Sequence, residues 1–254
     1  MNRMLRSLVA GGFALVGAAV LAPGCADNNS TLFITGVIYD KPPGCTVSAD
    51  PASLYLGSGT LDLAFRKNYQ AWMLVGNQLT SRGSKQTLRS ETSRVNLTGA
   101  EIDLTDSLNN RIKKFSVHGS GFVDVSRGED PGWGLFGADL IPSTVGETLA
   151  GRVGTGATVL EVIATVRVFG STLGNQDVTS AELSYPIRVC YGCLVQYPLV
   201  AVDFVTDPAN PTCSSSATEL PITGCRPGQD DYIDCRSCAA THDICNSVPA
   251  QAPM

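Results

Sequence analysis

The chain has 254 residues, 43% of them hydrophobic and 16% charged, with a formal net charge of −5. That apolar content excludes a chain dominated by disorder, and the acidic balance excludes a nucleic-acid partner held by phosphate neutralisation. Twenty-six glycines and 7% aromatic residues predict many turns and few long helices.

Arg3 and Arg6 open the chain with positive charge, and Leu8 to Ala22 is uncharged and mostly apolar. That length suits a signal peptide and falls short of the roughly 20 residues that span a bilayer. Ala22-Pro23-Gly24-Cys25 follows, and it resembles the lipobox of bacterial lipoproteins. It departs from the commonest box in the proline before the small residue and in the place of its leucine. The resemblance implies that residues 1–24 are removed, that Cys25 carries acyl chains, and that residues 25–30 form a short tether. Ordinary secretory cleavage competes, with Cys25 merely the first cysteine of the mature chain. The coincidence of charged start, apolar length and cysteine favours lipidation. Ala26, where aspartate would favour retention at the inner membrane, points to the outer membrane. Without residues 1–24, 16 basic residues face 23 acidic ones. Acyl chains, not charge, would therefore hold the protein to its membrane.

Residues 31–189 read as strands. Thr31 to Tyr39 is rich in branched and aromatic side chains until Lys41-Pro42-Pro43-Gly44 breaks it. Leu61, Leu63 and Phe65 alternate with polar or small residues, and Tyr69 to Val75 is a more fully apolar run. Val95 and Leu97 hold odd positions but Ile102 and Leu104 even ones, which places a bulge or turn near Gly99-Ala100. Phe115, Val117, Gly119, Gly121, Val123 and Val125 line one side of the next run. Leu160, Val162, Ala164, Val166 and Val168 give the clearest two-residue period. Leu183, Tyr185, Ile187 and Val189 close the set, with Pro186 predicting an edge or a bulge. Ser143 to Ala150 alone suggests a short helical turn. The fold expected is all-β, an antiparallel immunoglobulin-like β-sandwich, with a closed barrel as the alternative.

From residue 190 the character changes. Residues 190–254 hold seven of the 14 prolines, seven of the nine cysteines, and no lysine. This segment reads as a loop-rich appendage stapled by disulfides. Setting Cys25 aside leaves Cys45, Cys190, Cys193, Cys213, Cys225, Cys235, Cys238 and Cys245, an even number suited to four disulfides in an exported protein. Cys45 is expected to pair with the tail, at Cys190 or Cys193, tying the first strands to the last. The two C-x-x-C pairs also allow a four-cysteine zinc site, which export and the further cysteines disfavour. A thioredoxin-like centre wants C-x-x-C at a helix start, and Cys190 instead ends a strand-like run.

Three stretches carry a family resemblance: Val166 through Asn175, Tyr185 through Leu194, and Cys225-Arg226-Pro227-Gly228-Gln229-Asp230. They resemble uncharacterised envelope lipoproteins of myxobacteria and related bacteria that carry a cysteine-rich C-terminal segment. The likeness extends more weakly to Tyr69 through Leu79 and to the lipobox. It implies a compartment and a fold, and no reaction.

Chemistry-bearing motifs are scarce. His118 falls on the polar face of its strand, beside Ser116 and Ser120, and His118-Gly119-Ser120-Gly121 is not a nucleophile elbow. His242 lies among the tail cysteines and reads as a surface histidine. Asp230, Asp231 and Asp234 form the densest polar cluster, with calcium the ligand it would suit and a solvated acidic turn the plainer reading. Trp72 reads as core and Trp133, between two glycines, as exposed or half exposed. No Walker loop, H-E-x-x-H or dinucleotide fingerprint is present. The function expected is a lipid-anchored, non-enzymatic binding or assembly module of the cell envelope, meeting the membrane through acyl chains and an envelope protein as its further candidate partner. No catalytic residue, metal or cofactor is expected. The alternatives are a coat or spacer lipoprotein, or a glycan-active enzyme using paired carboxylates.

Overall fold

The computed structural model describes residues 31–84, 86, 89–203, 211–213 and 224–246. The signal segment, Cys25 and the tether lie outside the described residues. The elements in chain order are β1 (Leu32–Ile38), β2 (Tyr55–Leu56), β3 (Gly59–Asp62), β4 (Tyr69–Asn77), β5 (Val95–Asp106), β6 (Arg111–Val123) and β7 (Gly132–Ile141). Helix α1 (Ser143–Val153) follows, then β8 (Leu160–Thr172), β9 (Asp177–Thr179) and β10 (Leu183–Cys190). The tail adds β11 (Val195–Gln196), β12 (Val202–Asp203), β13 (Thr212–Cys213), β14 (Ile233–Asp234) and the single helical turn α2 (Cys235–Cys238).

Two larger sheets enclose one core. One has the order β2-β1-β4-β7, the other β3-β10-β8-β5-β6, with β9 paired to β8. Alternation explains the division of side chains. Val162, Ala164, Val166 and Val168 of β8 are at most 1% exposed, and Tyr69, Ala71, Met73 and Val75 of β4 meet them in the same core. Burial of these apolar side chains against each other is the main drive for the fold. The phase change in β5 is a bulge, as expected: register shifts between Leu97 and Gly99 against both β6 and β8. The bulge moves Ile102 and Leu104 onto the face that Val95 and Leu97 already occupy, and all four are fully buried.

Four expectations about the elements are corrected. The sheets are not wholly antiparallel, because β3 runs parallel to β10 over Gly59–Asp62. Pro186 is not on an edge strand, since β10 lies between β8 and β3. Its missing N–H is tolerated because the β3 ladder begins one residue later, at Ile187. Trp72 is only partly buried: it lies over Gly137, where an added Cβ would come 2.6 Å from its ring. The helical turn is longer than expected, with Val145, Leu149 and Val153 buried at a four-residue spacing. Gly146 and Gly151 weaken its helical signal in the sequence.

At the ends of the two orders, β6 and β7 approach each other closely. A Cβ on Gly134 would lie 2.2 Å from the Phe122 carbonyl oxygen, and one on Gly121 would lie 2.6 Å from that of Leu135. Glycine is required there because backbone meets backbone. Gly134→Val should therefore lower the unfolding free energy by about 2 kcal/mol or more in a urea melt. Gly151→Ala, on α1 with open space around it, should raise it by about 0.5–1 kcal/mol.

Candidate functional site

A buried polar region lies where the tail folds back on β3, with Asp62 fully buried and Gln229 3% exposed. All eight described cysteines are paired, as Cys45–Cys225, Cys190–Cys193, Cys213–Cys235 and Cys238–Cys245. Cys45 thus pairs with the tail as expected, but with Cys225 and not with Cys190 or Cys193, which close on each other. The reason is local: Tyr39 and Asp40, just before the Cys45 loop, bind Asp231 and Arg226, beside Cys225. The Tyr39 hydroxyl donates to Asp231 Oδ1 at 2.5 Å, and Arg226 meets Asp40 at 3.0 Å with both side chains largely shielded. The bond closes a separation of 180 residues, which in the chain-entropy picture is worth about 5 kcal/mol. Cys235 and Cys238 go to different partners, so the two C-x-x-C pairs do not assemble a four-cysteine zinc site.

The segment Arg226–Asp231 is built to dock. Gly228 has φ +85°, and a Cβ there would sit 2.7 Å from that of Phe65. Asp230 also takes a positive φ, +63°, which aspartate tolerates better than most residues. These two turns lay the segment along β3. The Asp62 N–H donates to the Gly228 carbonyl at 2.8 Å, and the Asp230 N–H to the Thr60 carbonyl at 3.0 Å. Gln229, 3% exposed, acts like a strand neighbour of β4: its amide donates to the Gln70 carbonyl at 2.7 Å and accepts from the Gln70 N–H at 3.0 Å. It does so where the pairing of β4 with β7 shifts register, between Tyr69 and Gln70.

Asp230 then points inward. Its carboxylate accepts from the Thr60 N–H at 2.8 Å, from Gln229 Nε2 at 3.1 Å, and from the Tyr69 hydroxyl at 2.9 and 3.1 Å. Tyr69 and Tyr185 share a hydrogen bond of 2.9 Å between their hydroxyls. Burial pushes the Asp230 carboxyl up to about 6 from an ordinary 3.8, against the hydrogen bonds from Thr60, Gln229 and Tyr69 that favour its charged form. Burial likewise holds Tyr69 and Tyr185 well above the usual phenol range. The hydrogen bond to Asp231 holds the Tyr39 phenol up at about 12.

The three acids singled out in the sequence take different partners. Asp230 faces Tyr69, Asp231 faces Tyr39, and Asp234 caps α2 while pairing with Arg236 at 2.6 Å. No shared cation is needed to satisfy any of them. His118 stands exposed on β6. His242 is not a free surface group: its ring packs on Phe65 with centroids 4.7 Å apart, and Nδ1 lies 2.8 Å from Thr241 Oγ1. Phe65, Tyr232, Ser237 and His242 line a small recess of about 130 Å³. Trp133 is partly buried, edge-on to Phe33 at 5.7 Å.

A larger charged recess lies on the outer face of β5, β6 and β8. Its acids are each matched by a base: Arg111–Asp103 at 2.9 Å, Lys114–Glu101 at 2.6 Å and Arg167–Glu182 at 2.6 Å. Each acid there thus has an ion-pair partner within 3 Å. Sequence reasoning missed Tyr69, Tyr185, Asp62 and Gln229, since nothing local to them reports a partner more than a hundred residues away.

The position of Asp230 makes docking pH-dependent. Its folded value lies above the unfolded one, so its contribution to stability is full below about pH 4 and is lost as pH rises through about 6. Asp230→Asn should abolish a dependence amounting to about 3 kcal/mol between pH 4 and 8, read from urea melts across that range. Asp230→Ala, which strands the Thr60 N–H and the Tyr69 hydroxyl, should cost about 2–4 kcal/mol at pH 5. Against this geometry, the sequence matches no protein-family model and no curated protein.

Proposed function

We propose that the protein is a lipid-anchored component of the bacterial cell envelope, at the outer membrane, acting as a non-enzymatic binding or assembly module. The observation that carries this reading is the cysteine count. Eight cysteines from Cys45 onward satisfy one another in four disulfides, which persist in oxidising compartments. That leaves Cys25, directly after an uncharged apolar run, outside the disulfide set and available for acylation. The likeness to myxobacterial-type envelope lipoproteins fits the same reading.

We infer further that the two sheets form an immunoglobulin-like sandwich. The order β10-β8-β5-β6 corresponds to the G, F, C and C′ strands, and β1-β4-β7 to A, B and E. The helix α1 then falls in the E–F connection. A binding role is supported by how the polar groups are used: the recess acids are neutralised by bases, and Asp230 is engaged in holding the tail. At one end of the larger sheet, Phe122 and Leu173, 61% and 54% exposed, flank the Arg94–Asp124 ion pair. Apolar side chains around a polar centre suit a protein contact.

Expressed in a diderm bacterium, the chain should partition into detergent and label with a clickable fatty acid. Cys25→Ala should abolish the labelling. A Cys25→Ala chain that labels as strongly as the parent would refute acylation at Cys25. In intact envelopes, crosslinking should yield one dominant adduct that falls when Phe122 and Leu173 are replaced by serine. Adducts that merely follow envelope abundance, unchanged by those replacements, would overturn the binding role.

A further inference from the structure

The Cys190–Cys193 disulfide differs in setting from the other three. Its cysteines are three residues apart, against 180, 22 and 7 for the rest. Loop-closure entropy grows with the logarithm of the loop, so this bond does least to limit the unfolded chain. Nor does its turn depend on it. Asp62, fully buried, accepts from the Gly192 N–H at 2.6 Å and the Leu194 N–H at 3.0 Å, the two residues that flank Cys193. The Leu63 N–H donates to the Cys190 carbonyl at 2.8 Å, and Val195 continues into the β11–β14 pair. Gly192 turns with φ +74° beneath Ile244, where any larger residue would clash. The sulfurs of Cys190 and Cys193 and a carboxylate oxygen of Asp62 all lie within 4.8 Å of one another. Cys190 is 1% exposed, whereas Cys193 lies nearer the surface.

We propose that Cys190–Cys193 is a thiol–disulfide exchange site that accepts two electrons from a dithiol, with Cys193 as the attacked sulfur. A thiolate of the incoming dithiol attacks Sγ of Cys193. The S–S bond breaks, its electron pair passes to Sγ of Cys190, and that sulfur takes up a proton. The donor's second thiolate then attacks the donor sulfur held in the mixed disulfide, and Cys193 leaves and is protonated. The dithiol ends as a disulfide, having lost two electrons and two protons, and Cys190 and Cys193 end as thiols. Asp62 is a positioning residue: by gripping the N–H groups on both sides of Cys193, it keeps the two thiols adjacent so that the bond can re-form. Cys45 is exposed as well, but its bond spans the whole fold and so provides an internal comparison.

The test is a titration of the full chain with dithiothreitol at neutral pH, with thiol alkylation and peptide mass spectrometry at each step. Cys190 and Cys193 should become alkylated together at a dithiol concentration at least about tenfold below that needed for Cys45–Cys225, with the circular dichroism spectrum unchanged. Reduction of Cys190–Cys193 only alongside the other bonds, or only with loss of the spectrum, would overturn the proposal. Cys190→Ala should form a mixed disulfide with glutathione at Cys193, and the absence of that adduct in a folded variant would also overturn it. On removal of dithiol, Asp62→Asn should slow re-formation of Cys190–Cys193 several-fold while leaving Cys45–Cys225 unaffected. Equal rates, or equal slowing of both, would remove Asp62 from the positioning role. None of these outcomes depends on anchoring at Cys25.

Discussion

The rest of the molecule is organised around the four residues of β3. On one side Gly59–Asp62 pairs in parallel with β10, and on the other the tail segment Gly228–Asp230 bonds to Thr60 and Asp62. A strand this short has little stability of its own, since its hydrogen bonds and its burial come from partners far away in sequence. Its two flanking interactions are also what attach the cysteine-rich tail. Asp62 reaches forward to the turn after β10, and Thr60 receives the carboxylate that the tail returns. Losing either contact would strand donors inside the protein, which costs more than the net worth of a surface hydrogen bond.

The two buried carboxylates solve the same problem in different ways. Asp62 is surrounded by backbone N–H groups of Ala64, Gly192 and Leu194, donors that cannot turn away. Asp230 relies in part on side chains, the Tyr69 hydroxyl and the Gln229 amide, and on a second phenol behind the first. Fixed dipoles hold a charge without reorganising, whereas hydroxyls serve a carboxylate or a carboxylic acid by reversing the bond. Among the contacts that attach the tail, one carboxylate is thus held by backbone donors and the other in part by side chains, and two disulfides inside the tail keep its small core together independently of both.

Much of this architecture was legible in the residue pattern. Five alternating residues marked β8, and the odd-to-even switch between Leu97 and Ile102 marked the bulge in β5, because a pleated strand admits only a two-residue period. The even count of cysteines after Cys25 anticipated four disulfides. Their pairing was not legible, since chain distance says nothing of spatial distance: Cys45 sits beside Cys225 because Tyr39 and Asp231 meet there. The parallel placement of β3 was hidden for a related reason. A strand of four residues, entered through Gly57-Ser58 and left at once by a turn, carries too little alternation to declare its partner. Asp230 looked like part of an acidic turn because sequence shows that acids are clustered and not which way each one points.

The disulfide arrangement follows from the same geometry. A tail with few large apolar residues cannot hold itself together by burial, and half of its eight core residues are cysteines. Covalent bonds supply what burial does not, and they act where the chain would otherwise have most freedom: across the fold at Cys45–Cys225, and within the tail at Cys213–Cys235 and Cys238–Cys245. Cys190–Cys193 lies at a point already immobilised, at the end of β10 and under the grip of Asp62. A cross-link where the backbone is already fixed adds little restraint. That mismatch between position and mechanical need separates this bond from the other three.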